Sequence, residues 1–379
     1  MPHKPSTRTR FAALIGAALA SLALAATASA ASREPMSVAL AALDGSGEAT
    51  AASTQPDARA LRALESSAQR VGGSEEVKVS STYYGPEQMA EVAAILRSLD
   101  HGPELERLSV YLATAAEIEQ VCGATVIACY VPGRMEMVVS GEDRAIAGVP
   151  RAFAIAHEYG HHIANTQQGD LEAPLGAGTI RWATYERVCQ FTRAHELFPG
   201  DQGAHYWEDP EEAFAESYAH LNEPDASVSW QYTPLLQPTT ASLTRIRADV
   251  ARPWTGPSSA TWADAVTAPP ASAPRHHVTG TPEAGIVSAA AVGQPSWIAS
   301  RLVRTPLDGR VSVHLQASAG ADYAVLLRDS ESARVLSRAR TGEGGATDIS
   351  YGNCGRDSLL LEVRSLHGAG TFEATVVKP

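Results

Sequence analysis

The chain has 379 residues, 44% of them hydrophobic, and a formal net charge of −12. That is enough material for two ordinary domains with a sizeable core. An acidic surface repels nucleic acid and anionic lipid, so neither is expected as a partner.

The N-terminus carries Lys4, Arg8 and Arg10, then an apolar run from Phe11 to Ala26 that closes on Ala28-Ser29-Ala30. A basic head, an apolar middle and a small-x-small exit predict a signal peptide over residues 1–30, and hence a secreted or extracytoplasmic protein. No later stretch has the length and apolarity of a membrane span. In an exported chain an even number of cysteines implies disulfides, here Cys122 with Cys129 and Cys189 with Cys354. None shows C-x-x-C spacing, which argues against a cysteine-ligated zinc site.

Residues 31–75 are small and polar and read as a linker or pro-segment, with a helix near Arg59 to Arg70. From Glu76 onward the pattern predicts a strand over 77–84, a helix over 86–99 with Pro86 in its first turn, and a strand over 105–112. A short helix starts at Thr114, and Pro132-Gly133-Arg134 joins strands 126–131 and 135–139 into a hairpin. Helices are expected from Pro150 to Asn165 and over 178–194, 209–221 and 240–250, completing an α+β domain over 76–250. Residues 251–295 are rich in Pro, Ala, Ser and Thr and read as a linker. Beyond them, alternating segments at 311–315, 323–327, 359–363 and 371–377 predict an all-β sandwich over 296–379.

The chemistry concentrates at His157-Glu158-Tyr159-Gly160-His161. Histidines at i and i+4 lie only about 40° apart around a helix axis, so both imidazoles can share one zinc ion. Glu158 projects beside such an ion and suits a general base. Ala152 to Ala156 and Ile163-Ala164 make the helix apolar on either side. His162 lies off the ligand face and is expected in solvent or behind a ligand.

Two histidines leave zinc short of a protein ligand. Gly and His are absent from positions 164 and 167, occupied by Ala164 and Gln167, which excludes the extended H-E-x-x-H-x-x-G-x-x-H class. The best source of a third ligand is Asp209-Pro210-Glu211-Glu212-Ala213-Phe214-Ala215-Glu216, where Glu212 and Glu216 share a helix face. Asp209 and Glu212 also fit a capping box that needs no metal, and Glu208 and Glu216 remain substitute ligands.

His157-Glu158-x-x-His161 with Glu212-x-x-x-Glu216 resembles the gluzincin metallopeptidases. Thermolysin-like members carry H-E-x-x-H and then E-x-x-x-D. Glu212-Ala213-Phe214-Ala215-Glu216-Ser217-Tyr218 is similar to the corresponding stretch of lethal-factor-type toxin proteases. The resemblance covers residues 150–221. It implies a zincin-like α+β domain, Zn2+ held by His157, His161 and Glu212, and Glu216 orienting a ligand imidazole. Tyr206, ahead of the second helix, is then the expected oxyanion donor, with His205 beside it. The gap between His161 and Glu212 is long for the thermolysin-like enzymes, so substrate preference does not carry over. Residues 296–379 resemble the prepeptidase C-terminal-type β-sandwich, through Asp322 to Asp329 and Leu361 to Phe372.

Together these features predict a secreted zinc metallopeptidase acting on a protein or peptide. A non-catalytic exported binding protein with a structural zinc site, and a zinc amidase acting on cell-wall peptides, remain open alternatives. Glu158 disfavours the first, because a structural site has no use for a base beside an open coordination position.

Overall fold

The computed structural model describes residues 36–39, 56–68, 70–73, 77–124, 126–142, 145, 146, 148–167, 177–271 and 297–379, with the backbone alone for 36–39 and 70–73. The signal peptide expected over 1–30 lies outside the described residues.

The N-terminal part is a six-stranded mixed sheet flanked by helices. In chain order it contains β1 Met36–Ala39, α1 Ala58–Ser67, β2 Arg70–Gly73, β3 Lys78–Ser81, α2 Pro86–Ser98, β4 Ser109–Ala113, α3 Ala115–Cys122, β5 Val126–Val131, β6 Glu136–Ser140 and α4 Arg151–Gln167. The strands run in the order β1-β5-β6-β4-β3-β2. β3, β4 and β6 are parallel, while β5 and β1 continue antiparallel on one side and β2 on the other.

Period-two side chains load both faces of this sheet, so its central strands read as nearly continuous apolar runs. Val110, Leu112, Ile127, Tyr130, Met137 and Val139 pack toward α2 and α4. Tyr111, Ala113, Cys129, Val131 and Val138 pack toward α1 and α3 on the opposite face. Thr114 caps α3 in a reciprocal box with Glu117, and the Cys122–Cys129 disulfide ties the end of α3 to β5.

Part of the segment read as linker or pro-segment is integral to this domain. α1 buries Leu61 completely between α3 and the sheet, and Arg134 ion-pairs with Glu65 of α1. α1 itself reads as polar because only the face around Leu61 is covered.

Four helices follow: α5 Ile180–Tyr185, α6 Val188–Arg193, α7 Pro210–Asn222 and α8 Thr240–Ala251. The single helix expected over 178–194 is two, because Arg187 adopts a left-handed φ of 59° between them. Asp249 of α8 accepts hydrogen bonds from the amides of Arg181 and Trp182, at 3.1 and 3.2 Å. It thereby caps α5, whose own Thr179 makes no capping bond.

The C-terminal part is an all-β sandwich of two antiparallel sheets, β11-β10-β13-β8 and β12-β9-β14-β7. Its strands are β7 Ser258–Val266, β8 Ile298–Arg304, β9 Gly309–Ala317, β10 Asp322–Asp329, β11 Val335–Arg340, β12 Ala346–Asn353, β13 Ser358–His367 and β14 Gly370–Lys378. β7 falls inside the stretch read as linker. It is an edge strand that buries only Trp262 and Val266, so its sequence shows little alternation. The sandwich is also joined to the helices that precede it. Cys354 is disulfide-bonded to Cys189 of α6, Asp308 N–H donates to Thr184 Oγ1 at 3.0 Å, and Arg193 donates to the Gly352 carbonyl at 3.1 Å. Among the described residues no helix is long and apolar enough to cross a membrane.

Candidate metal centre

α4 carries His157, Glu158, His161 and His162, and all four side chains are buried. α7 crosses against it and brings up Glu212 and Glu216. Gly160 makes the approach close enough. A β-carbon there would meet the Ala215 Cα at 2.8 Å and its carbonyl oxygen at 3.2 Å.

Three donor atoms converge across this contact. His157 Nε2 lies 3.2 Å from His161 Nε2 and 3.3 Å from Glu212 Oε2, and His161 Nε2 lies 3.6 Å from Glu212 Oε2. Ligands about 2.0–2.1 Å from a tetrahedral ion are about 3.3–3.4 Å from one another. The observed triangle therefore has the spacing at which His157, His161 and Glu212 could hold one metal ion.

Polar neighbours fix His157 and Glu212. Glu216 Oε2 lies 2.9 Å from His157 Nδ1, so that nitrogen carries the proton and Nε2 keeps its lone pair for a cation. Gln202 donates to Glu212 Oε1 at 3.0 Å and to Asp209 Oδ2 at 3.1 Å, which turns Oε2 toward the histidines. Tyr206 Oη donates to Glu212 Oε2 at 3.0 Å and lies 3.2 Å from Tyr232 Oη, itself 3.5 Å from the same carboxylate oxygen.

The electrostatics favour positive charge. Burial alone depresses an imidazole pKa, yet the hydrogen bonds that His157 donates to Glu212 and Glu216 outweigh it and raise His157 to about 10. His161 goes the other way, lowered chiefly by burial, and so offers a neutral imidazole. Burial opposes ionisation of Glu212, but the two histidines overcome it and hold the carboxyl far below its usual range. The pocket is thus arranged to hold a cation, whether a proton on His157 or a metal ion that displaces it.

The competing capping-box reading of Glu212 does not describe what its side chain does. Asp209 caps α7 through the Glu211 amide at 2.9 Å, while the Glu212 carboxylate turns to His157, Gln202 and Tyr206. Glu208 is outside the donor group, and His205 stacks on Phe198 with ring centroids 3.7 Å apart. His162 is neither in solvent nor behind a ligand. It is buried on the opposite side of α4, with Nδ1 3.0 Å from Tyr130 Oη and Nε2 2.9 Å from the Glu104 carbonyl.

Sequence reasoning missed Gln202, Tyr232 and the spacing role of Gly160. Gln202 and Tyr232 sit in loops with no periodic signal. Gly160 had one: a helix-interior glycine costs about 1 kcal/mol relative to alanine and implies a packing reason.

No family model matches the chain, and no curated protein matches it. Among solved structures it is similar to the Yersinia pseudotuberculosis-derived mitogen, at 10% identity and a TM-score of 0.15, over 22% of this chain and 86% of that one. A likeness at that TM-score carries no argument about fold or function.

Proposed function

We propose that the chain is an exported zinc-dependent metallopeptidase whose N-terminal domain is zincin-like. The observation that carries this reading is the triangle of His157 Nε2, His161 Nε2 and Glu212 Oε2, with edges of 3.2, 3.3 and 3.6 Å, on the same helix turn as Glu158. Zn2+ held there supplies a Lewis acid that polarises a scissile carbonyl and lowers the pKa of a water molecule.

The remaining work belongs to the chain's own groups. Glu158 accepts a proton from the attacking water at a carboxylate oxygen and passes it to the departing amide nitrogen. Tyr206 and Tyr232 are the donors for negative charge developing on the carbonyl oxygen. Burial first, then the neighbouring Tyr206 and Glu212, keeps the Tyr232 phenol protonated well above its ordinary range. Glu216 and Gln202 hold His157 and Glu212 in register. The signal-peptide pattern and the two disulfides support an extracytoplasmic site of action.

The test is digestion of a diverse peptide library with the purified chain, read by mass spectrometry, with and without a zinc chelator. Cleavage that disappears on chelation and returns with zinc supports the reading. A zinc-loaded chain that cleaves no peptide contradicts it.

A further inference from the structure

The two outer faces of the C-terminal sandwich carry different charge. In β10 and β13, Tyr323, Val325, Leu327, Leu359, Leu361 and Val363 are buried between the sheets. Period-two alternation turns the residues between them outward, and directly opposed residues on neighbouring strands share a face. Arg340 opposes Ala324, Arg338 opposes Leu326 and Arg304 opposes Ser358. With Arg328 and Arg364, five arginines therefore stand on the outer face of sheet β11-β10-β13-β8.

Two carboxylates answer them. Glu362 pairs with Arg364 and, at 3.4 Å, with Arg328, and Asp322 accepts from Arg340 Nε at 2.7 Å. The Lys378 ammonium, donating to the Arg304 carbonyl at 2.6 Å, adds a further positive group at the β8 edge. The outer face of the other sheet holds Arg310 and His314 against Asp348 and Glu373. The chain as a whole has a net charge of −12, so the arginine face stands apart from the rest of it.

This face is open. Leu302 is 53% exposed, and Arg304, Arg338 and Arg340 are exposed. The joints to the preceding helices, through Asp308, Gly352 and Cys354, lie in the β8–β9 turn and at the end of β12, outside this face. Strands about 4.8 Å apart, with same-face residues about 7 Å apart along each, spread the arginines over roughly 15 by 20 Å. Burial lowers the Arg328 pKa, Glu362 opposes this and Arg364 adds to it, so another anion beside Arg328 is stabilising.

The remaining chemistry selects the partner. Among the described residues of this face none is aromatic, so it has no platform for nucleobases and no aromatic anchor for a bilayer interface. The backbones of β10 and β13, its central strands, are paired on both sides, which leaves side chains alone to recognise a ligand. Guanidinium groups match carboxylate, sulfate and phosphate oxygens in bidentate pairs. Half-buried Leu326 and Leu360 lie among them as apolar ground for the C–H faces of sugar rings. We propose that the outer face of sheet β11-β10-β13-β8 docks an anionic polysaccharide, held by its charged groups on Arg304, Arg328, Arg338, Arg340 and Arg364. Such docking needs nothing from the metal centre and stands even if the peptidase reading falls.

The test measures binding of the full chain to dextran sulfate, with neutral dextran as the reference. The natural chain should bind dextran sulfate alone, with affinity falling ten-fold or more as salt rises from about 0.05 to 0.3 M. Arg304→Gln with Arg338→Gln should weaken binding about ten-fold or more at unchanged thermal stability, whereas Arg310→Gln on the opposite face should bind normally. Phenylglyoxal labelling of the natural chain, read by mass spectrometry, locates the site without a variant. Dextran sulfate should shield Arg304 and Arg338 and leave Arg310 reactive. Equal binding to both dextrans, equal loss from Arg310→Gln, or equal shielding of Arg310 overturns the proposal. Tighter binding to phosphatidylglycerol vesicles, a DNA duplex or polyglutamate also overturns it, and assigns the face to lipid, nucleic acid or acidic polypeptide.

Discussion

A β-carbon added to Gly160 would lie 2.8 Å from the Ala215 Cα, a distance that real side chains do not occupy. The obstacle is backbone, so α4 and α7 would have to separate. Those two helices carry His157 and His161 on one side and Glu212 and Glu216 on the other. The glycine therefore sets the spacing of the donor atoms of His157, His161 and Glu212.

Gly160→Ala should cost about 1–3 kcal/mol, the usual range for overpacking a well-filled core. It should also weaken zinc binding, since the Glu212 carboxylate moves away from both imidazoles. Thermal unfolding of the metal-free chain and a competitive zinc titration read the two effects separately. Unchanged zinc affinity would show that α7 does not supply a ligand.

The outer carboxylate gives a graded prediction. Glu216→Ala leaves His157 Nδ1 without its acceptor and should weaken zinc affinity about 10- to 100-fold. Glu212→Ala removes a donor and should lower zinc occupancy further, whereas Glu208→Ala should leave it unchanged. Equal effects from all three variants would mean that the ligand lies elsewhere.

The paired phenols predict a split between binding and turnover. Tyr206→Phe and Tyr232→Phe each remove a donor beside Glu212 Oε2. Either should lower kcat while zinc stays at one ion per chain, by about 100-fold for whichever phenol contacts the oxyanion. If both variants turn over normally, the oxyanion donor is neither tyrosine.

How far the sequence carries this account depends on the distance over which each feature acts. His157 and His161 are one helical turn apart, so their shared face follows from the helix alone. Glu212 could be nominated because an i, i+4 acidic pair after a cap-and-proline start is also local. Gln202 and Tyr232 reach Glu212 from loops 10 residues before it and 20 after it, and nothing in those loops encodes where they end. The break at Arg187 is invisible for another reason: an arginine at positive φ contradicts its ordinary preference and is imposed by packing. β7 was hidden because an edge strand with one thinly covered face needs little alternation. The two disulfides were legible from export and cysteine count, although only the fold brings Cys189 and Cys354 together across 165 residues.

His162 makes acid stability a test of the packing behind the site. Burial lowers its pKa to about 4, below the unfolded value of about 6.5. Between those values the unfolded chain binds the extra proton, so stability is full above pH 6.5 and is lost as pH falls toward 4. The expected loss is about 3 kcal/mol. In chelator, urea unfolding from pH 7 to pH 4.5 should show a steeper loss for the natural chain than for His162→Gln. Identical slopes would mean that His162 is not held neutral.

The central claim is that Glu158 is the base of a zinc-dependent peptidase. Glu158→Gln keeps the side-chain shape beside His157 and removes its capacity to take a proton. The decisive measurement pairs zinc content with library hydrolysis in that variant. The account predicts one zinc per chain and hydrolysis reduced by about 100-fold or more. Full hydrolysis at unchanged zinc content would contradict it.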